Sequence, residues 1–397
     1  MLILGTPEVV SLFLLSIIFD VPRYAISMLV LYLFEPRRAF GPPIRISAIV
    51  ACHNEENGLR ACIESLHVDE VIVIDDGSTD GTWKVIMDMV SEGLVHKTKR
   101  LNQRSSKPAA VNIGLRYATH EAVLILDSDT VLLDSQAARI AARYLSADPH
   151  CGGVSLNLQV RNVWASLITR LQAIEYLISI TFGKRFADVA GIMSNVSGAA
   201  GVFRRSALIE VGGLDIEVAE DAALTGKLRT AGWKIRFAPE AIALTLVPEG
   251  IIGLLMQRLR WDSAAAAIWL RKFVHHLNPF ARDLSFRLLL TSLDVVLFSI
   301  VLPILFPIYA VWLWYHVGIE ATLALLFLVM ACLAVMETLI ILWTTPPLGL
   351  LPYVPFYLVV QLFIMRPARI VFMVSELVAH VTHGDNYIPS HQRGELA

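Results

Sequence analysis

Charged residues are scarce in this sequence and form no long run of one sign. Of its 397 residues only 17% are charged, while 55% are hydrophobic, and the formal net charge is −2. Such a chain has no basic surface of the kind that binds nucleic acid, so we expect no nucleic-acid partner. The mean hydropathy of +0.60 lies well above that of soluble enzymes of this length. Part of the chain is therefore expected to lie in a lipid bilayer.

Several familiar site motifs are also missing. The four cysteines (Cys52, Cys62, Cys151 and Cys332) form no C-x-x-C pair and no zinc-ligand spacing. We therefore expect neither a disulfide framework nor a zinc site, and chemistry that faces a reducing cytosol. No G-x-G-x-x-G follows the first predicted strand, which argues against a dinucleotide fold. The absence of G-x-x-x-x-G-K-[ST] excludes a P-loop.

Apolar runs that could cross a bilayer lie towards the two ends of the chain. A transmembrane helix needs about 20 apolar residues. Residues 9–34 are long enough and predict one bent span or, as the alternative, a re-entrant pair, because Asp20, Pro22 and Arg23 interrupt the run. The run lacks the features of a removable signal peptide. The arginines of the following EPRRAFGPPIR place the next domain in the cytoplasm by the positive-inside tendency.

The second group of apolar runs lies near the C-terminus. Residues 288–315 and 321–343 each predict a transmembrane helix. A third run, 350–365, is shorter and crosses only if it is favourably tilted or extended. Asp294 and Glu337 fall inside the two longer runs. Ionisable groups are costly there and often functional, and we leave open whether these two face a ligand path or pair structurally.

Between the spans, residues 45–250 have the pattern of an α/β domain. The runs ISAIVAC, VIVID and AVLILD each end in a polar loop, and a helical stretch follows. This alternation predicts a parallel sheet with helices on both faces. Ligands gather at the carboxyl ends of such strands. We therefore expect residues 53–56, 75–80 and 127–129 to converge on one rim of the sheet.

Two acids, Asp127 and Asp129, directly follow the third of these strands. In one interpretation Ser128 and Asp129 cap the next helix, and residues 75–77 form a turn whose acids bond local amides. In the other, the acids at neighbouring strand ends bind a hard divalent cation, Mg²⁺ or Mn²⁺, that bridges diphosphate oxygens. Such an ion stabilises the charge on a departing phosphate. We favour the metal site because two oxygen-rich segments are predicted side by side.

Two later segments carry further polar side chains. Glu220 and Asp221 stand at the start of a predicted amphipathic helix, where acids also suit the helix dipole. The segment GIIGLLMQRLRWDSAAAAIWLRKF is helical in period, which places Gln257, Arg260 and Trp261 on one face. This helix is expected at the membrane surface. Its arginine suits phosphate oxygens, and its indole suits stacking on a sugar ring.

Six segments together resemble those of family 2 glycosyltransferases. They are IDDGSTDGT, KPAAVNIGL, LILDSDT, SGAAGVFRRSALIEVGGLD, AED and QRLRW, in this order and spacing. The sequence is most similar to the membrane-embedded branch that contains poly-N-acetylglucosamine, hyaluronan, chitin-oligosaccharide and cellulose synthases, over residues 45–275. The resemblance implies an α/β fold of the GT-A (Rossmann-like) type, in a cytoplasmic domain flanked by transmembrane and interfacial α-helices. It also implies a UDP-sugar donor and inversion at the anomeric carbon, which gives a β-linkage.

The resemblance assigns roles to residues around the donor. Asp76, together with Asp75, would contact the uridine and ribose, and Lys107 would lie near the nucleotide or its phosphates. Asp127 and Asp129 would hold the Mg²⁺ or Mn²⁺ ion, with Asp127 also beside the donor. The two acids after the third strand would thus help UDP to depart.

On the acceptor side, the resemblance makes Asp221 the general base that takes the proton of the acceptor hydroxyl, with Glu220 beside it. Many family members carry Thr before this pair, where the present chain has Ala219. The QRLRW motif would form the floor near the acceptor, with Arg260 towards the diphosphate and Trp261 under the acceptor sugar. The complete set in this motif is Gln257, Arg258, Arg260 and Trp261.

These features divide the chain into five predicted parts. They are an N-terminal transmembrane helix (1–40), a GT-A glycosyltransferase domain (41–249), interfacial helices with the QRLRW motif (250–286), C-terminal transmembrane helices (287–365), and an amphipathic helix and tail (366–397). We expect an integral protein of the bacterial inner membrane with its catalytic domain in the cytoplasm.

Three functions are weighed. The first, which we favour, is a UDP-sugar-dependent hexosyltransferase that elongates a β-linked polysaccharide or oligosaccharide. The second is a single transfer to a lipid acceptor such as a ceramide, a diacylglycerol or a polyprenyl phosphate. The third is a non-catalytic membrane scaffold, which is disfavoured because every chemical position is filled. A homo-oligomer or an export partner is left open.

Overall fold

The computed structural model divides the chain into two compact units. It describes residues 7–18, 20–35, 40–215, 219–268, 272–273, 276, 278, 280, 285–344 and 347–383. One unit, here the sheet unit, contains Arg37–Asn162 and Ala190–Val247. The other, here the helical unit, contains Met1–Pro36, Val163–Val189 and Pro248–Asp385. Of the predicted tail, residues 384–397 lie outside the described residues.

The sheet unit is built on one mixed sheet. Its strands are β1 (Ile46–Cys52), β2 (Glu70–Asp75), β3 (Lys97–Arg100), β4 (Ala122–Asp127), β5 (Val131–Leu132), β6 (Cys151–Val160), β7 (Ala200–Arg204) and β8 (Lys234–Thr245). Their order across the sheet is β3-β2-β1-β4-β7-β6-β8-β5.

The helices are numbered along the whole chain. They are α1 (Pro7–Ile18), α2 (Val21–Phe34), α3 (Leu59–Glu64), α4 (Thr82–Ser91), α5 (Lys107–Tyr117), α6 (Ala137–Ala147), α7 (Leu167–Tyr176), α8 (Gly183–Ala190), α9 (Arg205–Glu210), α10 (Glu220–Thr230), α11 (Ile251–Ala267), α12 (Phe286–Val295), α13 (Leu302–Val317), α14 (Ile319–Trp343), α15 (Val354–Val360) and α16 (Arg366–His383). Wider π turns join several of them at Leu177–Phe182, Val296–Val301 and Gln361–Met365, and a 3-10 segment spans Leu348–Tyr353.

The first half of the sheet has the predicted parallel arrangement. Strand β1 pairs in parallel with β2 and β4, and β2 pairs in parallel with β3. In this register Cys52 lies beside Asp75, and Ala51 lies beside Asp127. Because the strands are parallel and aligned, their carboxyl ends meet at one edge of the sheet. The predicted convergence of three strand ends on one rim is confirmed.

The second half of the sheet differs from the prediction of a parallel sheet. Strand β7 is antiparallel to both β4 and β6, and β5 is antiparallel to β8, while β6 and β8 are parallel. Between β6 and β7 the chain passes through residues 163–189 of the helical unit. Parallel neighbouring strands are usually joined by a βαβ crossover connection. The segment that leads to β7 is not such a connection, so β7 need not run parallel to its neighbours.

A buried polar group marks the amino end of β2. The Glu70 carboxylate accepts hydrogen bonds from Ser47 Oγ (2.6 Å), Lys97 Nζ (2.5 Å) and Thr119 N (3.0 Å). Burial alone would raise the pKa of Glu70, but these hydrogen bonds outweigh it and lower the pKa to about 2. The network ties β1, β2 and β3 together at the edge opposite the carboxyl ends.

Local side-chain chemistry explains where several helices begin. At the start of α4, the Asp80 carboxylate accepts hydrogen bonds from the N–H and the hydroxyl of Thr82 (3.0 and 2.6 Å). Helix α5 has Pro108 in its first turn, where a missing N–H costs nothing. Helix α7 begins with a capping box in which Ser166 and Thr169 exchange hydrogen bonds. Lys107 is the first residue of α5, directly before Pro108.

Three helical segments in the described part of the helical unit are long and apolar enough to cross a membrane. They are Phe286–Val317, Ile319–Trp343 and Leu348–Glu376. The first two match the predicted spans, and the third continues well beyond the predicted 350–365. Near the N-terminus, α1 and α2 meet at 65°, which leaves a broken span or a re-entrant loop, as predicted.

The two ionisable residues inside the predicted spans have different surroundings. Asp294 in α12 forms an ion pair with Arg23 in α2, with 3.0 Å between Oδ2 and Nη2. Glu337 in α14 is only 4% exposed. Its Oε2 atom has no hydrogen-bond partner among the described residues. Structural pairing therefore accounts for Asp294 but not for Glu337.

Candidate functional site

Lys107 joins three elements of the sheet unit at the rim. Its ammonium lies 2.6 Å from Asp127 Oδ1 at the end of β4 and 3.2 Å from Glu220 Oε1 at the start of α10. It also donates a hydrogen bond to the carbonyl of Gly198 (3.0 Å). The Lys107 and Asp127 side chains each remain 32% exposed. The predicted donor and catalytic segments therefore meet around one positive charge that a ligand can reach.

The pairing of β4 and β7 brings the loop before β7 to this rim. Leu126 lies opposite Ala200, and the Asp127 N–H donates to the Ala199 carbonyl (3.0 Å). The ladder thus continues past the end of β4, and Gly198 follows directly beside Asp127. The sequence motif SGAAG contains this loop, but its antiparallel pairing with β4 was not predicted.

Hydrogen bonds orient the carboxylate of Asp221. Its Oδ2 atom accepts from the N–H of Gly198 (3.1 Å) and from Asn195 Nδ2 (3.3 Å). Its Oδ1 atom accepts from the N–H of Ala222 (2.8 Å). Thr225 adds a further link, because its hydroxyl donates to the Asp221 carbonyl (2.7 Å). The carboxylate is therefore held in one orientation at the first turn of α10.

The charged groups at the rim shift one another's pKa values. Burial alone would lower the pKa of Lys107, but the charges of Asp127 and Glu220 outweigh it and raise the pKa. Burial raises the pKa of Asp127. The positive charge of Lys107 lowers this pKa, and the negative charge of Asp129 raises it further. Burial, followed by the charge of Asp129, raises the pKa of Glu55. The carboxylates of Asp127 and Glu220 both lie within 3.2 Å of Lys107, so negative charge is concentrated here, which favours the binding of a cation.

Asp127 and Asp129 offer the oxygen ligands that Mg²⁺ and Mn²⁺ prefer. Asp129 is half-buried, and its Oδ1 atom accepts a hydrogen bond from Thr130 Oγ1 (3.1 Å). Within the described part of the chain, no group of three or more His, Cys, Asp or Glu side chains is arranged to hold a metal ion. Two carboxylates fit a divalent ion whose remaining ligands are water and the phosphates of a substrate. These residues therefore fit the metal when a nucleotide diphosphate is also present.

Asp75 and Asp76 are both buried and bonded within the protein. Asp75 accepts from the N–H of Ser78 (2.9 Å), which confirms the interpretation of a local turn for this acid. Asp76 accepts from the N–H groups of Ser105 (2.7 Å) and Ser106 (2.9 Å). It thereby fixes the loop that leads directly into Lys107.

The alternative interpretation of Ser128 and Asp129 as helix caps is wrong. Helix α6 begins only at Ala137, with Gln136 at its N-cap position. Residues 128–130 instead form a tight bend in which the N–H of Thr130 donates to the Asp127 carbonyl (3.1 Å). Asp129 is consequently available at the rim and does not serve a helix terminus.

In the helical unit, the QRLRW motif lies in α11 as predicted. Arg260 and Trp261 are exposed, Gln257 is half-buried, and Arg258 is buried. The Arg258 guanidinium donates to Glu175 Oε2 in α7 (2.6 Å) and lies 4.3 Å from the centre of the Trp261 ring. Of the four residues predicted in the QRLRW motif, Arg258 is thus already engaged inside its own unit.

The sequence analysis did not single out Glu55, Gly198, Asn195 and Glu175, of which the last three hydrogen-bond to predicted residues. Glu55 stands in the HNEE segment that was expected at the rim, and Gly198 stands in a quoted motif, so both had a signal. Asn195 and Glu175 lie in segments without a motif. Only the folded contacts with Asp221 and Arg258 reveal them.

A family model and several curated proteins match this chain. Residues 47–212 match the model described as glycosyl transferase family 2. The poly-beta-1,6-N-acetyl-D-glucosamine synthase of Staphylococcus epidermidis is 34% identical over 234 residues, which cover 57% of this chain and 56% of that protein. The enzyme of the same name from Staphylococcus aureus is 32% identical over the same length. The chain therefore spans about half the length of the curated relatives it matches.

A solved structure supports the fold. A mannosyltransferase from Pyrobaculum calidifontis, in complex with GDP-Man and Mn²⁺, superposes with a TM-score of 0.62, covering 90% of this chain and 99% of that one, at 20% identity. This likeness confirms the GT-A type of fold, with a mixed sheet, that the resemblance implied. Apolar helices long enough to cross a membrane follow the sheet unit, so the protein is expected in a membrane. Residues 47–212 of the chain therefore carry a domain that matches glycosyl transferase family 2.

Proposed function

We propose that this protein transfers N-acetylglucosamine from UDP-N-acetylglucosamine to a growing β-linked polysaccharide. The observation that carries this proposal is the meeting of Lys107, Asp127 and Asp221 at one rim of the sheet, around the Gly198 loop. The choice of sugar and of a polymeric product is supported by the names of the curated relatives, which are 32% and 34% identical to this chain over 234 residues.

Asp221 is proposed as the general base. The acceptor hydroxyl oxygen attacks the anomeric carbon, the bond from that carbon to the diphosphate breaks, and UDP leaves with the bonding electrons. The hydroxyl proton passes to the Asp221 carboxylate. The hydrogen bonds from Gly198 and Asn195 hold one oxygen in place, which keeps the carboxylate oriented during this transfer. A single displacement of this kind inverts the anomeric centre and needs no covalent nucleophile.

Lys107 is proposed to stabilise the departing diphosphate. It stays protonated because neighbouring carboxylates raise its pKa, and it can exchange a carboxylate oxygen for a phosphate oxygen. Glu220, whose Oε1 atom lies 3.2 Å from the ammonium, positions this charge. Asp127 and Asp129 are proposed to hold Mg²⁺ or Mn²⁺, which would supply Lewis-acid stabilisation of the leaving phosphate when bound.

The remaining predicted residues keep their proposed roles. Asp75 and Asp76 are proposed to contact the uridine and ribose of the donor. Both carboxylates are buried, and they also hold the loops next to this position. Arg260 and Trp261 are exposed on α11 and are proposed to contact the diphosphate and the acceptor sugar. Gln257 is proposed to contact the acceptor as well. We also propose that residues 41–249 form the cytoplasmic catalytic domain of a bacterial inner-membrane protein.

The proposed function is tested with the detergent-purified protein. It is incubated with UDP-N-acetylglucosamine, or with other UDP-sugars, in the presence of Mg²⁺ or Mn²⁺, with and without a bacterial lipid extract. UDP release is recorded and the labelled product is sized. We expect a ladder or a high polymer from UDP-N-acetylglucosamine without added lipid. One sugar on an extractable lipid, and nothing longer, would instead establish the glycolipid alternative, and no UDP release from any donor would refute both.

A further inference from the structure

Helix α11, which carries the QRLRW motif, is held by ion pairs from two neighbouring helices of the helical unit. On one side, Arg258 pairs with Glu175 of α7, with 2.6 Å between Nη2 and Oε2. On another, Asp262 pairs with Arg369 of α16, with 3.0 Å between Oδ1 and Nε. Arg258 and Asp262 lie one helical turn apart on α11, three residues before and one residue after Trp261.

The pair with Glu175 acts directly on the indole of Trp261. The Arg258 side chain is 5% exposed and the Glu175 side chain 18%, so solvent does not separate the two charges. The Arg258 guanidinium also lies against the Trp261 ring, 4.3 Å from its centre. Glu175 therefore fixes the guanidinium on which the indole rests, while the indole itself remains 42% exposed.

Helix α7 also holds the start of α11. Gln172, which is 1% exposed, donates a hydrogen bond from Nε2 to the carbonyl of Pro248 (2.7 Å). Ser166 Oγ donates to the carbonyl of Glu249 (2.8 Å). Both carbonyls belong to the loop that leads into α11. The position of the helix along its own axis is therefore set from α7.

Helix α16 is fixed independently of α11. Arg366 in its first turn pairs with Asp20 (2.9 Å), at the bend between α1 and α2, and donates to the Ile18 carbonyl (3.0 Å). Three residues further on, Arg369 reaches Asp262. A second link follows where Ser263 Oγ donates to the Phe372 carbonyl (3.4 Å). Helix α16 therefore restrains the residues that directly follow the QRLRW motif, Asp262 and Ser263.

Ion pairs between packed helices fix register more than they stabilise. Removing two charges from water costs about as much as their attraction returns, so a buried pair is weak evidence for stability, and its best-attested use is to fix a register. The pairs involve residues close to Trp261 in α11, and its indole remains exposed. This geometry suits a helix whose position matters for a ligand.

We propose that Glu175 and Arg369 are positioning residues that hold Trp261 for the acceptor sugar. This inference rests on the proposed function of the chain as a glycosyltransferase. Neither residue is proposed to touch the donor, the acceptor or the metal. Their loss should therefore impair the use of the acceptor, which Trp261 is proposed to contact, more than the binding of the donor, because the Arg258 guanidinium that Glu175 holds lies against the Trp261 ring.

The helical unit offers a matched control. Arg185 of α8 pairs with Glu35, with 2.7 Å between Nη2 and Oε2, and its side chain is 27% exposed. The Arg369 side chain is also 27% exposed. Arg369→Gln and Arg185→Gln thus remove the same charge, at the same exposure, from ion pairs of the same unit. Only Arg369 contacts α11 through its ion pair.

The first measurement reports on Trp261 without requiring activity. The full-length protein is labelled with fluorotryptophan in detergent, and the ¹⁹F resonance that disappears in Trp261→Phe is assigned to Trp261. We expect this resonance to shift or broaden in Glu175→Gln and in Arg369→Gln, and to stay in place in Arg185→Gln. An unchanged resonance in the first two variants would overturn the proposal, whether or not the protein is active.

The second measurement separates transfer from donor hydrolysis. UDP release is measured with and without a soluble N-acetylglucosamine oligosaccharide as the acceptor, together with thermal unfolding. We expect Glu175→Gln and Arg369→Gln to raise the acceptor KM about tenfold, a change of about 1.4 kcal/mol, and to raise the donor KM by less than the acceptor KM. Arg185→Gln should leave both unchanged. An equal rise of the acceptor KM in Arg369→Gln and Arg185→Gln would show a general structural role and refute positioning. A wild-type protein that releases no UDP would instead refute the proposed function itself.

Discussion

Replacing Lys107 by methionine should affect metal binding and turnover in opposite directions. The ammonium lies 2.6 Å from Asp127 Oδ1 and 3.2 Å from Glu220 Oε1. It therefore occupies one of the carboxylates that is proposed to hold the divalent ion. Lys107→Met frees that carboxylate and removes the positive charge that repels a cation. The same change removes the cation proposed to contact the departing diphosphate.

The magnitude follows from the geometry of the Lys107 contacts. A hydrogen bond to a charged group contributes about 1.5–3 kcal/mol. Both side chains are 32% exposed, so solvent screening reduces this value. A net change of about 1.4 kcal/mol corresponds to a factor of about ten in an equilibrium constant. We therefore expect Lys107→Met to bind Mn²⁺ about tenfold more tightly in the absence of donor. Turnover should fall by about 10²–10³-fold, the loss seen when one donor to a developing negative charge is removed.

The assay is a titration of the purified protein with Mn²⁺, in which free ion is followed by electron paramagnetic resonance. Lys97→Met serves as the control, because Lys97 pairs with Glu70 at the opposite edge of the sheet and is similarly exposed at 37%. The control should leave the affinity for Mn²⁺ unchanged. If Lys107→Met binds Mn²⁺ no more tightly than the wild type does, Lys107 does not compete with the metal. If it retains full turnover, Lys107 does not assist the leaving group.

Three further predictions concern the sheet unit. Glu70 has a lowered pKa, so the stability that its carboxylate contributes is complete above pH 4.5 and is lost as the pH falls towards about 2. Glu70→Gln should therefore lower the free energy of unfolding at pH 7 by about 2–3 kcal/mol and make it less dependent on acid pH. Denaturant melts at several pH values test this, and parallel stability curves for the two proteins would contradict it. Ala219 has φ of 60°, so Ala219→Gly should raise and Ala219→Val should lower the free energy of unfolding, each by about 1 kcal/mol; a loss with glycine would show that no strain is stored there. Asp129→Ala should abolish turnover without unfolding, and EDTA should do the same reversibly; full activity in EDTA would exclude the metal.

The pattern of the sequence was sufficient for three of the eight strands in the sheet. Strands β1, β2 and β4 are buried apolar runs that end in polar loops, and each precedes a helix, so their direction and their common rim could be predicted. Strand β7 (AGVFR) is short and begins with small residues. Its antiparallel partner β4 is distant in sequence, and the intervening residues belong partly to the other unit. Nothing local in the sequence encodes the direction of such a pair.

The chemistry of the site was easier to predict than its contacts. Acids at strand ends and at a helix start are visible in the sequence, so Asp127, Asp129 and Asp221 could be singled out. That Lys107 bridges Asp127 and Glu220 depends on three segments that only the folded sheet brings together. The same holds for the restraint of α11, because the residues that pair with it carry no motif of their own.

Helix α10 begins with a strained backbone conformation at Ala219. Ala219 adopts left-handed backbone angles directly before Glu220 and Asp221. Such a conformation costs about 1–2 kcal/mol for a residue other than glycine. The two acids nevertheless reach Lys107 and the Gly198 loop. This arrangement of the two acids therefore forms with alanine at position 219.

The central claim is that Asp221 is the base of a sugar transfer from UDP-N-acetylglucosamine. Asp221→Asn tests it most directly, because the amide keeps the shape of the side chain and an oxygen that can accept the hydrogen bonds of Gly198 and Asn195. The rate of acceptor-dependent UDP release is compared with that of the wild type, at equal thermal stability. We predict a fall of about 10²–10⁴-fold. UDP release within a few-fold of the wild type, in a protein that remains folded, would contradict the account.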